Sequence, residues 1–366
     1  MANRVTTQNI ADALGISRNT VSKAINNTGV LAPATRQKVL DKAREMGYRQ
    51  FSWTDTVNAE EPQSRAVPVS AEKPVMHQKK IVLLTTSYLN ESHFASTMLD
   101  KFQSEIRKAG YELSMCMVAP DEIRNRQLPS SFNPDQAAGI ICYETFDQKY
   151  ADMICSLDLP VLFVDAPVSG LDAPLRADRL FMDSQTGISQ LIRGLIDSGI
   201  RKIGFIGEIA HCQSFFERYL AYRNMLLLHH IEEKPAWSIT GHQKDPSRRA
   251  GDDYREYLLE QLRDMDELPE VFVCANDFVA LDVMRVLHTL GLSVPKDIFL
   301  TGFDDSPDSQ FFSPRLTTVH INSQIMGYSA AHLLISRICN PFLNYRTVYT
   351  ETNPVWREST GKAHAQ

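Results

Sequence analysis

From Thr6 to Tyr48 the apolar residues fall at short helical spacings: Ile10, Ala11 and Leu14 on one face, then Val21, Ala24 and Ile25, then Val39, Leu40, Ala43 and Met46. Three short helices are predicted. Thr6 or Thr7 can cap the first, Gly15 supplies a tight turn where a left-handed backbone costs little, Ser17 caps the second, and Pro33 and Gly47 bracket the third. Between Ser52 and Gln78 the periodicity stops, and Pro62, Pro68, Pro74, Glu60, Glu61 and Glu72 stand among few large apolar residues, the composition of a linker. From Lys79 onward, strand-like runs (KIVLLTT, YELSMCMV, AAGIICY, PVLFVD, KIGFIG, VFVCAND, DIFLTGF) alternate with helical stretches. Such alternation predicts parallel sheets with helices on both faces. The segment 79–366 is longer than one doubly wound sheet needs, so two α/β lobes sharing a cleft are expected behind an all-α head. The predicted divisions are 1–50, a linker 51–78, and a body 79–366.

Charge sharpens this division. Residues 1–50 hold eight Lys and Arg against three Asp and Glu, so with a formal charge of −6 on 366 residues the rest carries −11. A basic head precedes an acidic body. Hydrophobic residues at 43% and charged residues at 22% fit a globular chain. No apolar run approaches the roughly 20 residues of a membrane span. The start, MANRVTTQNIADALG, lacks the apolar core of a signal peptide, so a cytoplasmic location without membrane contact is expected. Cys116, Cys142, Cys155, Cys212, Cys274 and Cys339 show no C-x-x-C pair or zinc-ligand spacing and read as buried reduced thiols. Neither a metal nor a cofactor is expected.

A helix-turn-helix sets the start of its second helix in the major groove, which here presents Ser17, Arg18, Asn19, Thr20, Ser22 and Lys23. Arg can pair bidentately with guanine and Asn with adenine, each pair giving roughly 1–3 kcal/mol of base discrimination, so Arg18 and Asn19 are the candidate base readers. Thr6, Thr7, Ser17, Asn26 and Thr35 suit phosphate contacts, and Gln8 joins them in the expected DNA-facing set. The plainer alternative is a three-helix bundle with a solvated polar face. The string VTTQNIADALGISRNTVSKAINN, with TRQKVLDKAREMGY after it, resembles the head of the lactose-repressor (LacI/GalR) family, including its A-x-x-x-G-[VI]-S-x-x-T-V-S-[RK] core at Ala11, Gly15, Ile16, Ser17, Thr20, Val21, Ser22 and Lys23. The resemblance implies a transcriptional regulator, a repressor, that binds double-stranded operator DNA as a homodimer. In one respect the match fails: the family's Pro-Asn and leucine-bearing hinge helix are replaced after Tyr48 by RQFSWTDTVNAEEPQ, where Val57 is the apolar candidate for a wedge.

The resemblance continues through PVLFVDAP, FMDSQTG, SGIRKIGFIG, FFERYLAYRNML, CAND to GFDDSP, LTTV and WREST. It implies a two-lobed body like a type I periplasmic binding protein, with three crossovers between lobes and a cleft for a small-molecule effector, a sugar or sugar derivative. Ile200 after Gly199, and Ala221, depart from the family pattern without consequence for the fold. Carried over by motif, Arg218, Asn276 and Asp304 become polar ligand contacts, Asp165 a weaker one, and Phe94 with Tyr88 the stacking aromatics. These positions fall at strand C-termini or just after, where open α/β sheets bind ligands. The same residues have plainer readings: Arg218 in an ion pair inside one lobe, Asp304 and Asp305 capping a turn, Phe94 in the core. Asp305 is expected to be structural, and His229 and His230 to be a solvated helix end. Trp237 and His242 are unassigned. The end near Trp356 lacks a leucine-heptad tail, so a dimer is expected in preference to a tetramer. Walker, G-x-S-x-G, G-x-G-x-x-G and H-E-x-x-H motifs are all missing, which argues against an enzyme. A transport binding protein would not carry the basic head. A regulator of the same fold that answers to a protein partner, or to no ligand, is the alternative.

Overall fold

Residues 7–25, 32–46, 80–86, 93–168, 174–241 and 252–361 are described by the structure, a computed structural model. The predicted linker with its hinge candidate Val57, and the predicted site residues Thr6, Asn26 and Tyr88, lie outside the described residues. The chain forms two units, Met1–Val75 and Met76–Gln366.

In the first unit, α1 (Thr7–Leu14), α2 (Arg18–Ile25) and α3 (Pro33–Glu45) enclose Ile10, Ala11, Val21, Ala24, Val39 and Ala43, all buried. Gly15, at φ +64°, ends α1: Ile16 N–H donates to Ala11 O and Gly15 N–H to Asp12 O, a pairing that closes a helix only where the residue past its end is left-handed. The chain then enters α2 at Arg18, three residues later. There the Ser17 hydroxyl accepts from Thr20 N–H at 3.1 Å, the predicted cap.

The second unit holds two parallel sheets. The larger is ordered β11-β5-β4-β3-β1-β2, from β1 (Lys80–Thr85), β2 (Glu112–Met117), β3 (Ala137–Tyr143), β4 (Val161–Val164), β5 (Asp178–Met182) and β11 (Thr347–Thr350). β1, β3 and β4 are almost wholly buried on both faces, hence their unbroken apolar runs. One face packs on α4 (His93–Lys108) and α12 (Ser323–Cys339), the other on α6 (Gln148–Cys155), with α5 (Pro120–Asn125) following β2. The smaller sheet is ordered β7-β6-β8-β9, from β6 (Ile203–Ile206), β7 (Ser238–Ile239), β8 (Val271–Cys274) and β9 (Phe299–Thr301). It lies between α7 (Ser184–Asp197) with α8 (Gln213–Leu228) and α9 (Asp252–Arg263) with α10 (Asp277–Thr289). α11 (Pro307–Phe311) follows β9, and an antiparallel pair, β10 (Thr318–Ile321) with β12 (Thr352–Val355), completes the second lobe.

The chain passes between lobes at Asp183, Asn322 and Glu351, the three implied crossovers, and these are tied together. Asp183 N–H donates to Thr350 O at 2.8 Å, the Thr352 hydroxyl to Asp183 O at 2.8 Å, and Asn322 Nδ2 to Glu351 O at 3.4 Å. One cysteine expectation is corrected: Cys116, Cys142, Cys212 and Cys274 are buried, but Cys155 is half-buried and Cys339 exposed, because Cys339 ends α12 where the helix meets solvent.

At the opposite end of the larger sheet, the buried carboxylate of Asp178 is gripped by Arg337 (Nη2 2.8 Å, Nε 3.1 Å) and Arg346 (Nη2 2.7 Å). Burial pushes this carboxyl up, but the guanidinium hydrogen bonds outweigh burial and hold it below the ordinary range. Arg337→Ala should therefore cost about 3–5 kcal/mol, because it strands a buried charge. Arg346→Ala, at a position 31% exposed, should cost clearly less in the same urea titration. Equal losses would show that Asp178 does not discriminate between its partners.

Candidate functional site

Within the second unit, the strand C-termini of both sheets border one cleft. Four acidic residues at these ends take left-handed backbone: Glu144 after β3 (φ +52°), Asp165 after β4 (φ +58°), and Asp304 and Asp305 after β9 (φ +118° and +54°). Non-glycine residues adopt such angles only where surrounding structure enforces them, and they concentrate at functional sites. The enforcement is visible. Asp304 N–H donates to Val319 O at 2.9 Å, and Asp305 is clamped by Arg357 Nη2 at 2.5 Å and His320 Nδ1 at 2.9 Å.

Arg218, on α8, is the buried cation of the site at 2% exposure. Its guanidinium carbon sits 3.7 Å from the Phe303 ring centre and 5.5 Å from that of Phe215, Nη1 donates to Ala275 O at 2.6 Å, and Nη2 lies 3.6 Å from Asp304 Oδ1. A planar, weakly hydrated cation can stack and hydrogen-bond together in this way, which an ammonium cannot. Burial pushes the Asp304 carboxyl above the ordinary carboxylate range; Arg218 opposes the shift, while Asp277, Asp165 and Glu144 add to it.

Asp277 is buried beneath Asp304. It accepts from Ser306 N–H at 2.7 Å and the Thr318 hydroxyl at 2.5 Å, and a Cβ on Gly302 would overlap its Oδ1, so this close approach requires glycine. Asn276 caps α10, its Oδ1 accepting from Val279 N–H at 2.9 Å. From the other lobe, Asp165 reaches the start of α8: its Oδ1 accepts from Ser214 N–H at 3.2 Å, while Gln213 N–H donates to Ala166 O at 2.8 Å. Burial raises the Asp165 carboxyl, against the pull of Ala166 N–H, the Cys212 thiol and Arg218. Further along α8, Glu217 Oε1 accepts from the Tyr349 hydroxyl of β11 at 2.9 Å, another bond between lobes.

Aromatic groups also line the cleft. Phe146 of the first lobe meets His211 of the second edge-on at 5.0 Å, and His211 lies 5.1 Å from Phe215. Half-buried Phe94 leans on Tyr143 at 5.9 Å and faces Phe278, Asp304 and His320 around a cavity of about 180 Å³.

In the first unit, Arg18 and Lys23 are exposed on α2 and Thr20 is half-buried, its hydroxyl 2.8 Å from Ser17 Oγ. Thr35 lies in the first turn of α3, where its N–H donates to Ala32 O. Thr7 and Gln8 fall in α1, and Asn19 and Ser22 in α2.

Residues 6–50 match the family model of the bacterial regulatory proteins of the lacI family, and residues 192–360 that of the periplasmic binding protein-like domain. The chain belongs to the lacI family of transcriptional regulators. The HTH-type transcriptional repressor PurR of Mannheimia succiniciproducens is 26% identical to it over 360 residues, 98% of this chain and 99% of that protein. The ribose operon repressor of Haemophilus influenzae is 27% identical over 354 residues, 97% and 98% of the two chains. Among solved structures, a complex of the transcriptional regulator CelR with cellobiose shares the fold at a TM-score of 0.66 and 22% identity, over 97% of this chain and 100% of the other. A lac repressor dimer bound to operator and the anti-inducer ONPF shares it at 0.62 and 19%, over 98% and 99%.

In this lacI-family regulator the fold gathers Asp165, Arg218 and Asp304 into one electrostatic cluster and sets Phe94 at the cavity beside Asp304. Asn276 stands next to them as a helix cap. The ion pair of Arg218 with Asp304 lies inside the second lobe, as its plainer reading had it, and Asp305, held by Arg357 and His320, also lines the cavity. Sequence reasoning missed Glu144, Phe146, His211, Phe215, Glu217 and Asp277. Phe215 could have been found from its offset of three residues to Arg218 on α8; Phe146 and His211 lie in loops whose meeting no local pattern announces.

Asp165, Glu217, Asp277 and Asp304 all hold their protons more tightly than ordinary carboxyls, chiefly because they are buried. The folded body thus binds more protons than the unfolded chain at pH values above the ordinary carboxylate range, and stability falls as pH rises. Asp304→Asn removes one of these groups, so the drop in melting temperature from about pH 5 to about pH 8 should be smaller than in the native protein. An unchanged slope would show that Asp304 is ionised throughout that range.

Proposed function

We propose that this regulator is a repressor that binds a near-palindromic operator as a cytoplasmic homodimer, reads bases with α2 of its head (1–50), and has its operator affinity set by a sugar or sugar derivative in the cleft of its body (79–366). The observation that carries this reading is the joining, in one chain, of a lacI-family head to a cleft whose charged and aromatic groups come from both lobes. The named repressors among its relatives, and the cellobiose and operator complexes among its structural neighbours, support it. Among the described residues no helix is long and apolar enough to cross a membrane.

Asp165 bonds the N-terminus of α8 and Tyr349 bonds Glu217, so a ligand placed among these groups biases how the lobes close. It can shift operator affinity only by its differential affinity for the two closures, typically about 1–3 kcal/mol. The protein acts by binding and carries no catalytic step. In the head, Arg18 and Asn19 read base edges, Thr20, Ser22 and Lys23 support them from the same helix, and Thr6, Thr7, Gln8, Ser17, Asn26 and Thr35 hold the backbone.

Operator selection from a random library, followed by fluorescence anisotropy on the selected site, tests the scheme. A bipartite site bound by two copies is expected; a monomer in sedimentation at micromolar concentration would contradict it. On that site Arg18→Ala should relax base preference at one position in each half, losing about 1–3 kcal/mol only on the preferred sequence. Thr35→Ala should instead weaken every sequence alike. Uniform weakening by both would remove Arg18 from base reading.

A further inference from the structure

His320 stands on β10 and lines the cavity together with Asp304, Phe94 and Thr97 of α4, and Phe278 of α10. Its place is set by the backbone. A parallel bridge couples Asp304 to His320, and Asp304 N–H donates to Val319 O at 2.9 Å, so the two side chains reach the cavity as neighbours. The other three residues of β10 are buried, whereas the His320 side chain is 45% exposed.

Behind the ring, Asp305 accepts a hydrogen bond at each carboxylate oxygen: Oδ1 from Arg357 Nη2 at 2.5 Å and Oδ2 from His320 Nδ1 at 2.9 Å. Arg357 is itself fixed, donating through Nη1 to Ser309 Oγ at 3.1 Å and to Leu316 O at 3.0 Å. A carboxylate can only accept, so this pattern assigns the hydrogen of the neutral imidazole to Nδ1. The second nitrogen, Nε2, then carries a lone pair, and among the described residues it takes no hydrogen bond. A ring already oriented by Asp305 loses little freedom when a ligand arrives. The Phe94 and Phe278 rings can cover the apolar face of a sugar, but Nε2 is satisfied only by a group with a hydrogen to give.

We propose that His320 is a specificity-determining residue of the effector cleft: its Nε2 accepts a hydrogen bond from one hydroxyl of the sugar, while Asp305 and Arg357 position the ring. This rests on the reading of the cleft as the effector site and adds to that site a polar contact from β10.

Two amide variants separate the two ring nitrogens. The amide nitrogen of His320→Asn can still donate to Asp305, while the amide of His320→Gln reaches the place of Nε2 with an acceptor oxygen. Without ligand, His320→Asn should therefore melt as the native protein does. Thermal shift of the full-length protein against pentoses, hexoses, disaccharides, sugar phosphates and uronates finds a binding probe. Calorimetry then measures that probe and its monodeoxy analogues on the native protein and both variants. His320→Asn should bind the probe about three- to tenfold more weakly, and His320→Gln should recover most of the loss. One monodeoxy analogue should lose the same factor on the native protein yet bind His320→Asn as its parent does, the coupling expected of two groups in contact. Equal affinity in His320→Asn and the native protein, or a loss that no single hydroxyl accounts for, overturns the contact and leaves the effector site standing. If no probe raises the melting temperature of the native protein, the effector reading falls and the contact falls with it.

Discussion

The buried guanidinium of Arg218 is the constraint around which the cleft is organised. A cation removed from water is costly unless surrounding groups offset its lost hydration, so the placement of its neighbours is constrained. Asp304 must stand at the end of β9, held in a left-handed conformation by the bond to Val319 O. Phe303 must turn its face to the guanidinium, and Ala275 O must end β8 pointing at α8. The Asp304 carboxylate in turn crowds Asp277, whose burial against glycine at 302 fixes the start of α10. A single charged side chain thereby links α8, β8, β9 and α10, the elements through which the second lobe meets the cleft.

The first lobe joins this arrangement through acceptors. Asp165 supplies what the α8 N-terminus lacks, since Cys212 at its cap makes no side-chain capping bond. Tyr349 and the three crossovers add ties that cross from sheet to sheet. These polar bonds between lobes, with the Phe146–His211 contact, lie at the crossovers and beside the cleft. A change in the cleft is therefore felt where the lobes are joined. The cage around Asp178, far down the larger sheet, does the opposite work: two guanidinium groups fix the loop between α12 and β11 so that the strand feeding the last crossover starts from a rigid base.

Much of this was legible in the sequence. The three head helices, their Gly15 turn and the Ser17 cap follow from local periodicity and capping chemistry, because each is decided within a few residues. The buried parallel strands were legible too, as continuous apolar runs. β5, β10, β11 and β12 were not. Their residues (DRLFM, TVHI, TVYT, TNPV) are short, partly polar and in one case contain proline; β5 is fixed by pairing with both β4 and β11, and β11 and β12 find β5 and β10 across more than a hundred and about thirty intervening residues respectively.

The sequence by itself determined the helix-turn-helix head, the alternating α/β body and, through the resemblance, the candidate positions Asp165, Arg218 and Asp304. These rest on composition, period and motif, which are properties of neighbouring residues. Only the tertiary structure decided that Asn276 caps a helix, that Asp165 serves the α8 N-terminus across the cleft, and that Glu144, Phe146 and His211 belong to the site. Those outcomes depend on which groups compete for a given donor or charge once distant segments are packed together, and that competition has no counterpart along the chain.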